Sequence, residues 1–76
     1  MSLEIKVKQI LDNFENFSSN DIVEVLHQIQ VSFRSQITQE YLQGKIKTIS
    51  DTSDEDQKKK LCNNLKPYLD WYLQGL

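Results

Sequence analysis

With 76 residues, 38% of them hydrophobic, and a formal net charge of −2, the chain has room for one domain and one core. The acidic balance argues against general electrostatic affinity for nucleic acid or anionic lipid. Cys62 is the only cysteine and His27 the only histidine, which excludes an intrachain disulfide and a closed zinc site built from Cys and His. Because a domain of this size is marginally stable alone, we expect oligomerisation or close helix packing to support it.

The chain carries no apolar run approaching the roughly 20 residues that a membrane-spanning helix needs. No basic start followed by an apolar block, the pattern of a secretory signal, is visible either. The composition has two glycines and one proline, with many Leu, Glu, Lys and Gln, and it favours helix. We therefore expect a single all-α domain over residues 1–76, located in the cytoplasm and without a membrane segment.

The first predicted helix covers residues 3–15. Its apolar residues recur at steps of three and four, which places them on one stripe: Leu3, Val7, Ile10, Leu11, Phe14 and Phe17. Ile5 falls on the opposite side of this helix, so we expect it to be exposed or used in a contact.

The second predicted helix covers residues 19–43. Ser18 fits an N-cap with Asp21 three positions later, and Phe17 with Ile22 fits the hydrophobic staple that often accompanies such a cap. The apolar stripe then continues through Ile22, Leu26, Ile29, Phe33, Ile37 and Tyr41. This regular spacing predicts one long central helix.

Gly44 stands where this stripe changes face, because Leu42, Ile46 and Ile49 lie on the other side of a straight helix. A glycine in a helix interior costs about 1 kcal/mol relative to alanine. Either the helix ends near residue 43, or it continues across the glycine with a bend. We predict a break or kink at Gly44, followed by a short helix over residues 45–50.

The connector before the last helix is polar and rich in acids. Thr52 with Glu55, or Ser53 with Asp56, would complete a capping box. The three lysines Lys58–Lys60 follow at once, and we expect them to pair with the acids three and four residues away.

The third predicted helix covers residues 53–74 and contains Pro67. Proline removes a hydrogen bond from a helix interior, so we expect a kink near Pro67 or a restart with the proline in the first turn. The apolar stripe of this helix is Leu61, Leu65, Tyr68, Leu69 and Tyr72. The predicted fold is therefore a small antiparallel bundle of three main helices.

The residue inventory argues against catalysis. His27 lies about 120° from the centre of its helix's apolar stripe, so we expect it to face solvent. Cys62 has no histidine near it in sequence, although a cysteine nucleophile needs a lowered pKa and a base. The acids Asp51, Asp54, Glu55 and Asp56 lack the central glycine of a calcium loop and are better explained by helix capping. We expect no enzyme activity, no cofactor and no metal.

The apolar residues exceed one stripe per helix. Those that fall off the main stripes are Ile5, Val23, Val31, Leu42, Ile46, Trp71 and Leu76. Such a surplus indicates an interface, although the two-sided packing of a central helix would absorb several of these residues. Because aromatic residues dominate interface hot spots, Trp71 and Tyr72 are the expected anchors. The predicted interface consists of Trp71, Tyr72, Leu42, Ile46, Ile49 and Leu76.

The resulting hypothesis is a small non-catalytic protein–protein interaction module or regulator that acts through an apolar helix face, as a homodimer. Small acidic helical proteins are common among antitoxins, immunity proteins and adaptors, an analogy of size and composition only. One alternative is a nucleic-acid-associated regulator that uses Lys45, Lys47 and Lys58–Lys60. Another is an accessory subunit of a larger enzyme complex.

Overall fold

A computed structural model describes residues 2–75. Within that range the chain forms five α-helices and one 3-10 turn: α1 (Leu3–Asp12), the 3-10 turn (Phe14–Asn16), α2 (Ser19–Gln30), α3 (Gln36–Asp51), α4 (Glu55–Asn63) and α5 (Lys66–Leu73). The predicted all-α class is confirmed. The helices are shorter and more numerous than the three that we expected.

One apolar core holds these helices together, with α2 at its centre. α2 packs against α1, α3, α4 and α5, and α5 also packs along α1. Ile22, Leu26 and Ile29 of α2 are fully buried. The other core residues come from every helix: Val7, Ile10, Phe14, Val25, Phe33, Leu42, Ile46, Ile49, Cys62, Leu65 and Leu69. Full burial of each large apolar side chain contributes about 1.5–3 kcal/mol.

The start of α2 is as predicted. The hydroxyl oxygen of Ser18 accepts a hydrogen bond from the backbone N–H of Asp21 at 3.2 Å. Phe17 is half-buried against the core and Ile22 is buried, as a hydrophobic staple requires. The first helix, in contrast, ends at Asp12 rather than at residue 15, and the 3-10 turn that follows directs Phe14 into the core.

The prediction of one helix over residues 19–43 is wrong, because α2 ends at Gln30 and the chain turns over residues 31–35. Ser35 caps the next helix, accepting a hydrogen bond from the N–H of Thr38 at 3.3 Å. Two glutamines bridge the turn. The side-chain amide of Gln30 donates to the carbonyl of Gln39 at 3.0 Å, and that of Gln39 donates to the carbonyl of Phe33.

The predicted break at Gly44 and the short helix over residues 45–50 are also wrong. α3 runs through Gly44 as one helix. The alternative left open by the sequence was a helix that continues across the glycine with a bend. The change of face arises earlier, because the turn at residues 31–35 gives α3 a new orientation. Ile37 and Tyr41 therefore point outward, and the inward side of α3 carries Leu42, Ile46 and Ile49.

The helix predicted over residues 53–74 is divided in two. Asp54, not Thr52 or Ser53, is the N-cap of α4, and its carboxylate accepts a hydrogen bond from the N–H of Gln57 at 3.0 Å. Thr52 instead ends α3, where its hydroxyl donates to the carbonyl of Thr48. α4 stops at Asn63, and Pro67 lies in the first turn of α5, where it removes no helical hydrogen bond. The expected restart at the proline is confirmed.

Candidate functional site

A partly exposed cluster of aromatic rings lies where α3 meets α5. Buried Phe33 forms its base, with ring centroids 5.3 Å from Trp71 and 6.0 Å from Tyr68, both in edge-on geometry. Tyr41 of α3 lies 5.9 Å from Tyr68. Ile37 is one helical turn before Tyr41 and so extends the same surface. We call Phe33, Ile37, Tyr41, Tyr68 and Trp71 the aromatic patch.

The aromatic patch combines exposure with a fixed arrangement. Ile37 is 79% exposed, Tyr41 48% and Trp71 46%. A single exposed apolar side chain is ordinary, but adjoining ones form a continuous surface that water solvates poorly. The edge-on contacts of Trp71 and Tyr68 with Phe33 are each worth about 0.5–1.5 kcal/mol beyond burial. These contacts hold the exposed rings in place before any partner arrives.

Two grooves extend from the aromatic patch. One, of about 300 Å³, runs between α3 and α4 and is lined by Tyr41, Lys45, Thr48, Ile49, Leu61, Asn64 and Leu65. The other, of about 170 Å³, is lined by Phe33, Arg34, Ser35, Thr38 and Trp71. Each groove therefore shares a ring of the patch, so that one bound segment could reach both.

The charged side chains that line the two grooves are basic. The Nζ atom of Lys45 lies 5.4 Å from the ring centroid of Tyr41, and Arg34 lines the smaller groove together with Trp71. Among the described residues that line the two grooves, none is a carboxylate. The acids that give the chain its net charge of −2 therefore lie outside these two grooves.

The residues predicted to form the interface have separate locations. Trp71 belongs to the aromatic patch, whereas Tyr72 is half-buried against the core. Leu42, Ile46 and Ile49 are buried within the chain's own core, so the expectation that they form an accessible face is corrected. Leu76 lies outside the described residues. These three residues form the buried side of α3, whereas one straight helix continuing from α2 would have left them exposed.

Sequence reasoning missed Ile37 and Tyr41 as surface residues, because it extended the stripe of the second helix through them. A signal was available, because Ser32 and Ser35 lie in this turn. Serine is a common N-cap, and Ser35 caps α3 by accepting from the N–H of Thr38. Tyr68, which had been assigned to the core stripe, is half-buried and links Tyr41 to Trp71.

The two side chains considered for catalysis lie in different environments. His27 is exposed, as predicted. Cys62 is fully buried, and that burial raises the pKa of its thiol to about 11. An activated cysteine needs the opposite shift, since the thiolate is the nucleophile. Across residues 2–75, no three His, Cys, Asp or Glu side chains cluster in a way that could hold a metal ion.

Glu55 and Lys59 of α4 bind the connection between α1 and α2. The Glu55 carboxylate accepts hydrogen bonds from the backbone N–H of Ser19 at 2.9 Å and from its hydroxyl at 2.6 Å. Lys59 donates to the carbonyl of Phe14 at 2.7 Å and to that of Phe17. We call this pair the α4 clamp. Its two charges stabilise a junction in the fold.

The lysines considered for nucleic-acid binding do not converge. Lys45 lines the groove beside the aromatic patch, whereas Lys60 lines a different groove together with Phe14. Lys59 is engaged in the α4 clamp. Lys47 lies roughly 200° around α3 from Lys45, since each residue advances a helix by about 100°.

Comparisons with known proteins add no constraint to this geometry. The chain matches no protein-family model, no curated protein and no solved structure. Within residues 2–75, none of the helices has the length and apolar character needed to cross a membrane.

Proposed function

We propose that the protein is a non-catalytic interaction module or regulator that binds another protein chain through the aromatic patch. The observation that carries this proposal is that the exposed rings of Tyr41 and Trp71 are linked through Tyr68. Exposed Ile37 lies one helical turn before Tyr41. Contiguous apolar surface of this kind often marks a protein-binding site, and Trp and Tyr are enriched among the residues that dominate binding energy.

The covering chain is either a second copy, which would make the protein a homodimer, or a different protein. A standard stable interface buries about 800 Å² on each partner. That is about a sixth of the 5007 Å² surface of this chain. The exposed parts of the patch amount to on the order of a few hundred Å². A homodimer would therefore need further surface around the patch, whereas a short segment of another protein would not.

The test compares two substitutions of exposed isoleucines, Ile37→Ser in the aromatic patch and Ile5→Ser on α1. Ile5 is 51% exposed and lies outside the core, so both variants should fold. Sedimentation velocity reports self-association, and affinity purification of the tagged protein from its own cells reports other partners. We expect Ile37→Ser and Trp71→Ala to abolish association and Ile5→Ser to retain it.

Equal loss of association in Ile5→Ser, with an unchanged circular dichroism spectrum, would contradict a role for the patch. A wild-type chain that is monomeric and retains no other protein would contradict the proposal as a whole. The accessory-subunit alternative needs the same kind of surface, and its complex would be recovered in the same purification. The nucleic-acid alternative, with Lys45, Lys47 and Lys58–Lys60, has less support, because Lys45 and Lys60 line different grooves and Lys59 is engaged in the α4 clamp.

A further inference from the structure

We infer that the partner of the aromatic patch is an acidic peptide segment of another protein, with one large apolar anchor residue flanked by Asp or Glu. This inference rests on the proposed function and adds the chemistry of the partner. Its basis is the contrast between the charge of the whole chain and the charge of this surface.

The charge contrast is local and specific. The chain has 11 acidic and 9 basic residues, yet the two grooves at the patch are lined by Arg34 and Lys45 without a carboxylate among their described residues. The acids next to the patch in sequence, Glu40 and Asp70, line neither groove. Glu40 accepts a hydrogen bond from Gln36, one turn back on α3. Asp70 lines the groove between α1 and α5. A partner with negative charge beside its anchor would match both cations.

The smaller groove indicates the size of the partner's anchor side chain. Its volume of about 170 Å³ is close to that of cavities that hold one benzene-sized group. Phe33 and Trp71 supply aromatic surface, and Arg34 stands beside them. One Leu, Phe or Trp side chain of the partner would fill this space. The peptide backbone and the acidic residues beside the anchor would then lie toward the groove that contains Lys45.

A second copy of the chain fits this surface less well. In a two-fold symmetric dimer the same patch meets itself, so Arg34 and Lys45 would face the same two cations. Like charges with no carboxylate among the described residues lining either groove disfavour such a pairing. Nucleic acid also fits less well, because two cations supply little phosphate affinity on a chain of net charge −2.

The experiment begins with selection of random displayed peptides of about 12 residues on the immobilised wild-type protein, with counter-selection on Ile37→Ser. Enriched peptides are then synthesised and titrated against the protein in solution. Trp71 is the only tryptophan of the chain, so its fluorescence reports directly on the patch. We expect enriched peptides to carry one aromatic or aliphatic anchor with Asp or Glu beside it.

Charge-reversal variants test the partner's chemistry. Arg34→Glu and Lys45→Glu should each weaken binding of the acidic peptide at least about tenfold, and binding should weaken between about 50 and about 500 mM salt. Lys47→Glu is the matched control, with the same charge change on the same helix but about 200° away. It should change the affinity by less than about twofold. These three positions and Ile37 are all exposed, so the circular dichroism of each variant should match that of the wild type.

The outcomes separate this inference from the proposed function. Neutral or basic peptides that bind the wild type and not Ile37→Ser would overturn the acidic partner and leave a binding patch in place. If no peptide binds the wild type more tightly than Ile37→Ser, the inference is also overturned. The proposed function is then still decided by whether the protein associates with whole proteins. Self-association lost in Ile37→Ser would make a second copy the occupant. If a single-stranded DNA oligonucleotide binds more tightly than the peptides, as measured by Trp71 fluorescence, nucleic acid is the occupant of the patch.

Discussion

At the scale of single residues, Glu55 illustrates how a local pattern can serve a distant contact. Its position near the start of α4 predicted a capping box and ion pairs with the following lysines. In the structure, the Glu55 carboxylate instead accepts two hydrogen bonds from Ser19, which lies 36 positions earlier in the chain. The pKa of Glu55 is lowered mainly by the hydrogen bond from the Ser19 hydroxyl, and secondly by the one from the Ser19 backbone N–H.

We predict that Glu55→Gln lowers stability in a pH-dependent way. Because the folded carboxyl has a pKa below its ordinary value of 4.5, the carboxylate stabilises the fold fully above that value. The contribution is lost as the pH falls through the folded pKa. Urea denaturation from pH 3 to 7 should therefore show wild type and Glu55→Gln converging at the acidic end and diverging toward neutral pH. The control Asp56→Asn removes the neighbouring charge, and its difference from wild type should vary less with pH. A constant offset for Glu55→Gln would contradict this role of the carboxylate.

At the scale of elements, the turn at residues 31–35 reorganises the long helix that periodicity predicted. The apolar steps from Ile22 to Tyr41 are compatible with one helix, and local propensity offers no strong breaker there. The side-chain amides of Gln30 and Gln39 instead donate to the backbone carbonyls of Gln39 and Phe33 across the turn. Gly44, the strongest local breaker in this region, stays helical because tertiary packing of Leu42 and Ile46 outweighs its cost of about 1 kcal/mol.

We predict that Gly44→Ala stabilises the protein by about 0.5–1 kcal/mol, because alanine has the higher helix propensity. No atom outside its own helix lies within 4 Å of the added Cβ position, so the methyl group meets open space. Chemical denaturation measures the gain. Gly75→Ala is the matched control, since Gly75 has a φ of 91° that disfavours any side chain. Loss of stability in Gly44→Ala would contradict a continuous α3.

At the scale of the whole molecule, the aromatic patch depends on the packing that fixes α5. Leu69 of α5 is fully buried, and the helix packs along α1 and against α2. Two residues later Trp71 contacts Phe33, which precedes α3. The patch therefore joins the turn after α2, helix α3 and helix α5, and it forms only when all of them are assembled.

We predict that Leu69→Ala lowers the free energy of unfolding by about 2–5 kcal/mol, a large part of the 5–15 kcal/mol of a typical domain. Because one core connects all the helices, Trp71 fluorescence and far-ultraviolet circular dichroism should report the same midpoint. Leu73→Ala, at a half-buried position of the same helix, should cost less. Separate midpoints for the two signals would contradict a single cooperative core.

Much of the secondary structure follows from local sequence patterns. The apolar spacing and the scarcity of Gly and Pro specify helix, and Ser18 with Asp21 marks a helix start, because these preferences act within a few residues. The exposed position of His27 follows from the stripe of α2 alone. Pro67 likewise marks a restart, since its missing N–H is tolerated only in a first turn.

The tertiary structure decided the rest. Whether Leu42, Ile46 and Ile49 or Ile37 and Tyr41 face the core depends on the orientation of α3, and both sets are spaced for a helix. The turn at residues 31–35 settles that choice through the contacts of Phe33, Gln30 and Gln39. An amphipathic pattern specifies that a face is apolar, but only the packing of the other helices determines which apolar face remains uncovered. The aromatic patch is the face that this packing leaves exposed.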